Sequence, residues 1–134
     1  MLYMLDTNIV SYLLEKDATV VEKFDSVFLQ NDFAISNIVK YEIQRGIFYR
    51  GSKKLQNDFD IFCKYIPVLP ITNADFLQAA HIYASLRHAG NLIEDADIFI
   101  GASALSNNAI LVTNNEDHLG RITGLRIENW TKRS

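Results

Sequence analysis

The chain has 134 residues, of which 49% are hydrophobic and 22% charged, and its formal net charge is −3. These values fit one globular domain, residues 1–134, and exclude a disordered chain and a globally basic nucleic-acid binder. No apolar run approaches the roughly 20 residues of a membrane span, and the single cysteine, Cys63, predicts a protein of the reducing cytoplasm.

The first predicted element is a strand at Leu2–Leu5, followed at once by Asp6, Thr7 and Asn8. Its unbroken apolar run is typical of a parallel strand covered on both faces. Open parallel sheets bind ligands beyond the carboxyl ends of their strands, which is where Asp6 would lie. Thr7 is the predicted cap of a short helix, and Asp17 that of the next helix.

A second strand is predicted at Phe33–Ile35, and Ser36 is the predicted cap of the helix that follows. Glu42 falls inside the apolar stripe of this helix, where an unpaired carboxylate would cost several kcal/mol. Glu42 is therefore a boundary residue that reaches solvent, a partner of a nearby arginine, or a metal-site carboxylate. Gly46, one turn later on the same face, predicts close helix packing.

Five cations and one anion lie between residues 40 and 54, with aromatic residues among them. Such a patch suits phosphate contacts and base stacking. Charge alone favours the alternative, a solvated face on two helices. The candidate nucleic-acid contacts are Lys40, Arg45, Lys53 and Lys54.

The segment at 66–71 contains two prolines, which predict an edge position in the sheet. Thr72 and Asp75 resemble a capping box that opens another helix. The residues of this helix predicted to face inward are Phe76, Leu77, Ala80 and Tyr83.

Three acids, Glu94, Asp95 and Asp97, precede a helix that is small and apolar on nearly every face. The helix macrodipole accounts for one or two of these acids but less well for the third. Asp95 and Asp97 would lie about 200° apart around the helix, so both cannot face one site. We predict that Asp95 is the cap or an outer ligand and that Asp97 is the inward group.

The last elements are a buried strand at 109–112, a polar cluster at 113–117 and an alternating strand at 125–128. Trp130 is predicted to cover an edge of the sheet. His118 could lie near the site, but a surface histidine is favoured. Because strands alternate with helices, the predicted fold class is α/β, with a mainly parallel central sheet between two helical layers.

The acids at positions 6, 42, 95 and 97 would then share one rim of the sheet with the polar turn. Grouped carboxylates repel each other unless a divalent cation lies among them, and hard oxygen ligands select Mg²⁺ or Mn²⁺. Such a cation can activate water against a phosphodiester. The sequence has no dinucleotide fingerprint, P-loop or serine-nucleophile elbow.

Five segments together resemble the PIN-domain ribonucleases, specifically the VapC-type toxins of prokaryotic toxin–antitoxin pairs. They are MLDTN at 4–8, VKYEIQRGI around Glu42, DADIFIGASAL at 95–105, LVTNNEDHLGRI at 111–122 and GLRIENW at 124–130. The resemblance implies a three-layer α/β/α sandwich and a Mg²⁺- or Mn²⁺-dependent endoribonuclease. It also implies a VapB-type antitoxin partner and a homodimer.

Carried over by position, Asp6, Glu42 and Asp97 match the family's three core acids, with Asp6 and Asp97 as the metal ligands. The residues Asn8, Thr113 and Asn115 match polar positions of the family that support or complete the site. Many relatives have a fourth acid, an aspartate, near Asn115, where this chain has an amide. The candidates to substitute for it are Asp95, Glu116 and Asp117, and both one and two metal ions stay open. Two other functions stay open: a nuclease that acts on DNA, and a PIN-like module that binds RNA or protein without cutting.

Overall fold

The structure, a computed structural model, describes residues 1–132, so the last two residues of the predicted domain lie outside the described part. Within this range, five parallel strands form one sheet and seven helices connect them, which confirms the predicted α/β class. The elements are β1 Leu2–Leu5, α1 Thr7–Leu14, α2 Ala18–Phe28, β2 Asp32–Ser36, α3 Asn37–Arg50, α4 Lys53–Tyr65, β3 Val68–Leu69, α5 Asn73–His88, α6 Asp95–Ser106, β4 Ile110–Val112, α7 Glu116–Leu119 and β5 Arg126–Glu128.

The strand order β3-β2-β1-β4-β5 creates a switch point beside the central strand β1. From β1 the chain runs outward to β2 and β3, then crosses back through α5 and α6 to β4 on the other side of β1. The amide of Asp6 donates to the carbonyl of Val112 at 2.9 Å, so the ends of β1 and β4 meet. Open α/β sheets bind ligands in the crevice at this point.

Both faces of the sheet are covered. Successive residues of a strand point to opposite faces, and Met4 and Leu5 are both buried, as are Leu111 and Val112. This confirms the prediction that an unbroken apolar run marks a strand between two helical layers. No helix among residues 1–132 is long and apolar enough to cross a membrane.

Trp130 packs over a face of the sheet, so the prediction that it covers an edge is wrong. Its ring centroid lies 5.4 Å from that of Tyr3 on β1 and 6.3 Å from that of Phe33 on β2. Rings from α2 join the same cluster, since Phe24 and Phe28 both pack against Phe33 with their rings tilted. The aromatic cluster buries Trp130 almost completely, as is typical of large rings that pack against one another.

Of the two helix caps predicted at Ser36 and Thr7, the first is confirmed and the second is wrong. Ser36 accepts a hydrogen bond from the amide of Val39 and caps α3 as predicted. Thr7, however, is the first residue of α1 and not its cap. Asp6 is the N-cap, with extended backbone and its Oδ1 accepting from the Thr7 amide at 2.8 Å.

The capping box of Thr72 and Asp75 is confirmed, but the predicted inward face of α5 is wrong except at Tyr83, which is half-buried against the core. Phe76 and Leu77 are 48% and 64% exposed, and Ala80 is exposed as well. The helix instead turns Asp75, Ala79 and Leu86 inward. Apolar residues occur on every side of this helix, so its periodicity does not select a face, and packing against α6 selects the one that carries the small Ala79.

Candidate active site

Asp6 is a buried carboxylate held by three donors at the end of β1. Its Oδ2 accepts from the Thr113 hydroxyl at 2.7 Å and from the Asn8 amide at 3.1 Å, and its Oδ1 accepts from the Thr7 amide. Burial raises the pKa of Asp6 above its ordinary value; these hydrogen bonds oppose the increase, and the charge of Asp97 adds to it. The carboxylate is thus fixed in position, while its negative charge is only partly compensated.

The predicted supporting residues Asn8, Thr113 and Asn115 lie around Asp6. The Asn8 side-chain oxygen accepts from the backbone amide of Asn114 at 3.0 Å, and the Asn115 amide donates to the Thr113 hydroxyl at 2.9 Å. The bond from Asn114 to Asn8 and the bond from Thr113 to Asp6 join the start of α1 to the loop after β4, across more than 100 residues of sequence.

Glu42 lies on α3 and faces the start of α1, which explains its place in an apolar stripe. Its Oε1 accepts from the Thr7 hydroxyl at 2.6 Å, and its Oε2 lies 3.4 Å from the Arg45 guanidinium. Its side chain is 18% exposed. The arginine partner considered for Glu42 is therefore present. Thr7 also links Glu42 to Asp6, because its hydroxyl donates to Glu42 and its backbone amide donates to Asp6.

Gly46 does not mark a close helix contact, and that prediction is wrong. A Cβ atom at this position would meet nothing within 4 Å. Gly46 instead lines an open cleft of about 110 Å³, together with Thr7, Ser11 and Glu42. The glycine leaves space next to the candidate catalytic acid.

Asp97 is the inward acid of α6, as predicted, while Asp95 is not its cap and is exposed. Glu94 is the N-cap, and Asp95 is the exposed first residue of the helix, with no side-chain hydrogen bond within residues 1–132. Burial raises the pKa of Asp97, the contact with His118 lowers it, and the charges of Glu94 and Glu42 raise it further. Asp97 thus lies within electrostatic range of both Asp6 and Glu42.

Glu116 and Asp117, two candidates for the fourth acid, are both paired with cations of this chain. Glu116 pairs with Lys132 at 2.7 Å, which holds the pKa of this carboxyl below its ordinary value. Asp117 is 79% exposed on its side chain and pairs with Arg121 at 3.1 Å. Substitution of the fourth acid by either residue stays a prediction.

For His118 the structure supports the less favoured of the two predictions, a position near the site. Its Nδ1 lies 3.4 Å from Oδ2 of Asp97 and 3.1 Å from the side-chain amide nitrogen of Asn115, so the favoured prediction of an ordinary surface histidine is wrong. One signal was available: Asn115 and His118 are three residues apart, a spacing that places side chains on one side of a helical turn.

The four candidate nucleic-acid contacts have different surroundings. The Arg45 guanidinium lies over the Tyr41 ring, 5.3 Å from its centroid, besides pairing with Glu42. Lys54 pairs with Asp58 at 2.7 Å. Lys53 is exposed at the start of α4 and has no ion pair within residues 1–132. Lys40 is half-buried on α3. Their role stays a prediction.

The donor set of the cluster fits a hard divalent cation. Carboxylate oxygens dominate it, and their mutual repulsion and burial leave negative charge that a cation would offset. Within residues 1–132, no three side chains of the His, Cys, Asp and Glu types lie close enough to hold a metal ion by themselves. The arrangement suits an ion that takes one or two carboxylates and keeps several waters, as Mg²⁺ does.

A protein-family model described as PIN domain matches residues 3–125. The chain belongs to the PIN-domain family. Ribonuclease VapC2 of Rickettsia felis is 34% identical to this PIN domain over 135 residues, which cover 98% of this chain and 100% of that protein. The recognition of a VapC-type PIN domain from its sequence is therefore confirmed.

Two solved structures share the fold closely. VapBC2 of Rickettsia felis, bound to a DNA fragment from its promoter, aligns with a TM-score of 0.88 at 31% identity, over 97% of this chain and 99% of that chain. VapBC-1 of nontypeable Haemophilus influenzae aligns with a TM-score of 0.86 at 30% identity, over 98% and 100% of the two chains. The predicted three-layer PIN-like sandwich is confirmed.

Proposed function

We propose that this PIN domain is an endoribonuclease toxin that hydrolyses RNA phosphodiester bonds with Mg²⁺ or Mn²⁺ as its cofactor. One observation carries the proposal. Asp6, Glu42 and Asp97 come from three separate elements to the switch point of the sheet, in a chain similar to a protein named ribonuclease. A phosphodiester nuclease needs such a group of acids, because they can hold a cation and orient water without a covalent nucleophile.

Asp6 and Asp97 are the residues that would hold the cation. When bound, a divalent cation supplies positive charge against the phosphate and makes a bound water more acidic. Thr7, Asn8 and Thr113 keep Asp6 in one orientation through hydrogen bonds. In this proposal, Glu42 accepts a hydrogen bond from the attacking water, and Thr7 holds Glu42 in place.

A VapB-type antitoxin is the proposed partner. The two similar structures are named VapBC2 and VapBC-1, which supports a partner of the same class for this chain. We also propose a homodimer, which light scattering of the purified protein measures, and a cytoplasmic location in keeping with the single cysteine.

The test of the site uses charge-neutral variants on two helices. Asp6→Asn and Asp97→Asn should each lower cleavage of total RNA by more than the roughly 10–100-fold loss typical of groups that only support a metal ligand. Asp95→Asn is the matched control, because it removes the same charge from the exposed side of α6, and its activity should stay close to that of the wild type. Undiminished cleavage by folded Asp6→Asn would overturn the assignment.

Metal dependence has its own test. Chelator should stop cleavage by the wild-type protein, and either Mn²⁺ or Mg²⁺ should restore it. Matched RNA and DNA oligonucleotides in the same assay distinguish a ribonuclease from a DNA nuclease. Chelator-resistant cleavage would contradict the proposed cofactor, and loss of the DNA strand alone would contradict the proposed substrate.

A further inference from the structure

The contact between His118 and Asp97 is poorly explained as an ordinary hydrogen bond. Nδ1 of His118 faces a carboxylate oxygen at 3.4 Å and an amide nitrogen of Asn115 at 3.1 Å. A single ring nitrogen either donates to the carboxylate or accepts from the amide, and cannot do both. The longer distance also exceeds the usual range of about 2.7–3.2 Å for such bonds.

The same distances suit atoms that surround one ion. Ligands at about 2.1 Å from a metal ion lie roughly 3.0–3.4 Å from one another in octahedral or tetrahedral arrangements. Half a turn of the Asn115 amide exchanges its nitrogen and oxygen, so that the oxygen faces the same point as Nδ1. Asp97, His118 and Asn115 then present one carboxylate oxygen, one imidazole nitrogen and one amide oxygen.

The three donors are held in place and remain accessible. The backbone of Asn115 is anchored to the buried Thr113, and Asp97 lies in the first turn of α6, which packs against α7. The His118 side chain is 40% exposed and that of Asp97 is 19% exposed. An ion can therefore enter from solvent and keep bound waters in its remaining positions.

The surroundings of Asp97 attract a cation. Glu94 and Glu42 lie within electrostatic range of Asp97, and Asp6 is coupled to Asp97 in the same way. His118 is positioned among these acids, while Glu116 and Asp117 are paired elsewhere.

We propose that His118 is a nitrogen ligand of the divalent cation bound at Asp97, with the side-chain oxygen of Asn115 as a further ligand, and that this site prefers Mn²⁺ to Mg²⁺. The proposal rests on the metal dependence of the proposed function. Imidazole suits first-row transition metals, whereas Mg²⁺ favours oxygen ligands and water. His118 thus determines which metal the site selects.

Pulsed electron paramagnetic resonance of the Mn²⁺-loaded protein tests this without an activity measurement. The wild-type spectrum should show coupling of Mn²⁺ to a nitrogen nucleus, and incorporation of ¹⁵N-histidine should change its frequency. The coupling should be lost in His118→Gln and kept in His88→Gln, a control at the exposed end of α5. Circular dichroism verifies that both variants are folded.

Metal affinities give the second readout. We expect His118→Gln to weaken Mn²⁺ binding by about 10-fold or more and Mg²⁺ binding by less, so that the Mn²⁺ preference falls. Mn²⁺ that binds without nitrogen coupling, or coupling that survives in His118→Gln, would overturn the role of His118 and leave the proposed nuclease intact. A wild-type protein that binds no Mn²⁺ would overturn both proposals.

Discussion

At the scale of single residues, the acids of the site take part in the fold, but their burial as charged groups destabilises it. Asp6 caps α1 and is also the deepest acid of the cluster, so one carboxylate serves both the backbone and the proposed cation. Asp97 caps no helix, and its partner His118 only partly offsets the burial that raises its pKa. In the absence of a cation, the ionised cluster should therefore lower the stability of the fold.

The pH dependence of stability tests this for Asp97. A carboxyl whose pKa is raised in the folded state contributes stability that is complete below its ordinary pKa of about 3.9 and is lost as the pH rises through the raised value. Asn cannot ionise, so metal-free Asp97→Asn should melt on the order of 2 °C higher than the wild type at pH 7. The difference should disappear near pH 4.

Thermal unfolding in chelator between pH 4 and pH 8 provides the measurement. The exposed Asp95→Asn variant is the control and should follow the wild-type pH dependence. An Asp97→Asn protein that melts below the wild type at pH 7, with the same pH dependence, would show that the ionised Asp97 carboxylate does not destabilise the fold.

At the scale of elements, two helical glycines have opposite surroundings. A Cβ at Gly101 of α6 would lie 2.5 Å from Cδ1 of the buried Ile122 and 3.5 Å from Leu125. A Cβ at Gly46 of α3 would meet nothing within 4 Å. The sequence predicted close packing at Gly46, but it is Gly101 of α6 that is packed in this way.

The two glycines give a paired prediction. Gly46→Ala should raise the free energy of unfolding by about 0.5–1 kcal/mol, because alanine favours the helix and no neighbour has to move. Gly101→Ala should lower it by about 1–3 kcal/mol, because Ile122 must leave its packed position. Urea unfolding measures both. Equal effects of the two substitutions would contradict the packing described for α3 and α6.

Local patterns determine the elements that could be predicted from sequence. The apolar runs of β1 and β4, the cap at Ser36 and the capping box of α5 are decided by residues within a few positions of one another. The inward face of α5 and the place of Trp130 depend instead on which distant element packs against them. No local pattern contains that information.

The same distinction holds for the site. Asp6, Glu42 and Asp97 could be singled out because each is an acid beside or within an apolar run. The side chain that accompanies Asp97 could not be predicted in the same way. It depends on side-chain directions in a short helix and on ion pairs with Arg121 and Lys132, and the candidates were Asp95, Glu116, Asp117 and His118. Those directions are set by tertiary packing.

At the scale of the whole molecule, the net charge of −3 conceals an uneven distribution. Five cations lie between residues 40 and 54, but Arg45 and Lys54 are already paired with acids of this chain. Lys53 is exposed at the start of α4 and is the clearest candidate for a phosphate contact.

RNA binding by an inactive Asp6→Asn protein tests the role of Lys53. Lys53→Gln should weaken binding and reduce the slope of log K against log salt by about 0.7, the value for one phosphate contact on a single strand. Lys23→Gln, a change of the same charge on α2, should leave the slope unaltered. An unchanged slope in Lys53→Gln would remove this residue from the RNA-binding surface.

The hydrogen bond between Thr113 and Asp6 spans 107 residues, and this separation determines when a chain under synthesis can become an active nuclease. A nascent polypeptide that stops before β4 has no neighbour on one side of β1, and it lacks Thr113, Asn115 and His118 altogether. Such an incomplete translation product should be harmless. The proposed toxin can cut only after translation has passed His118.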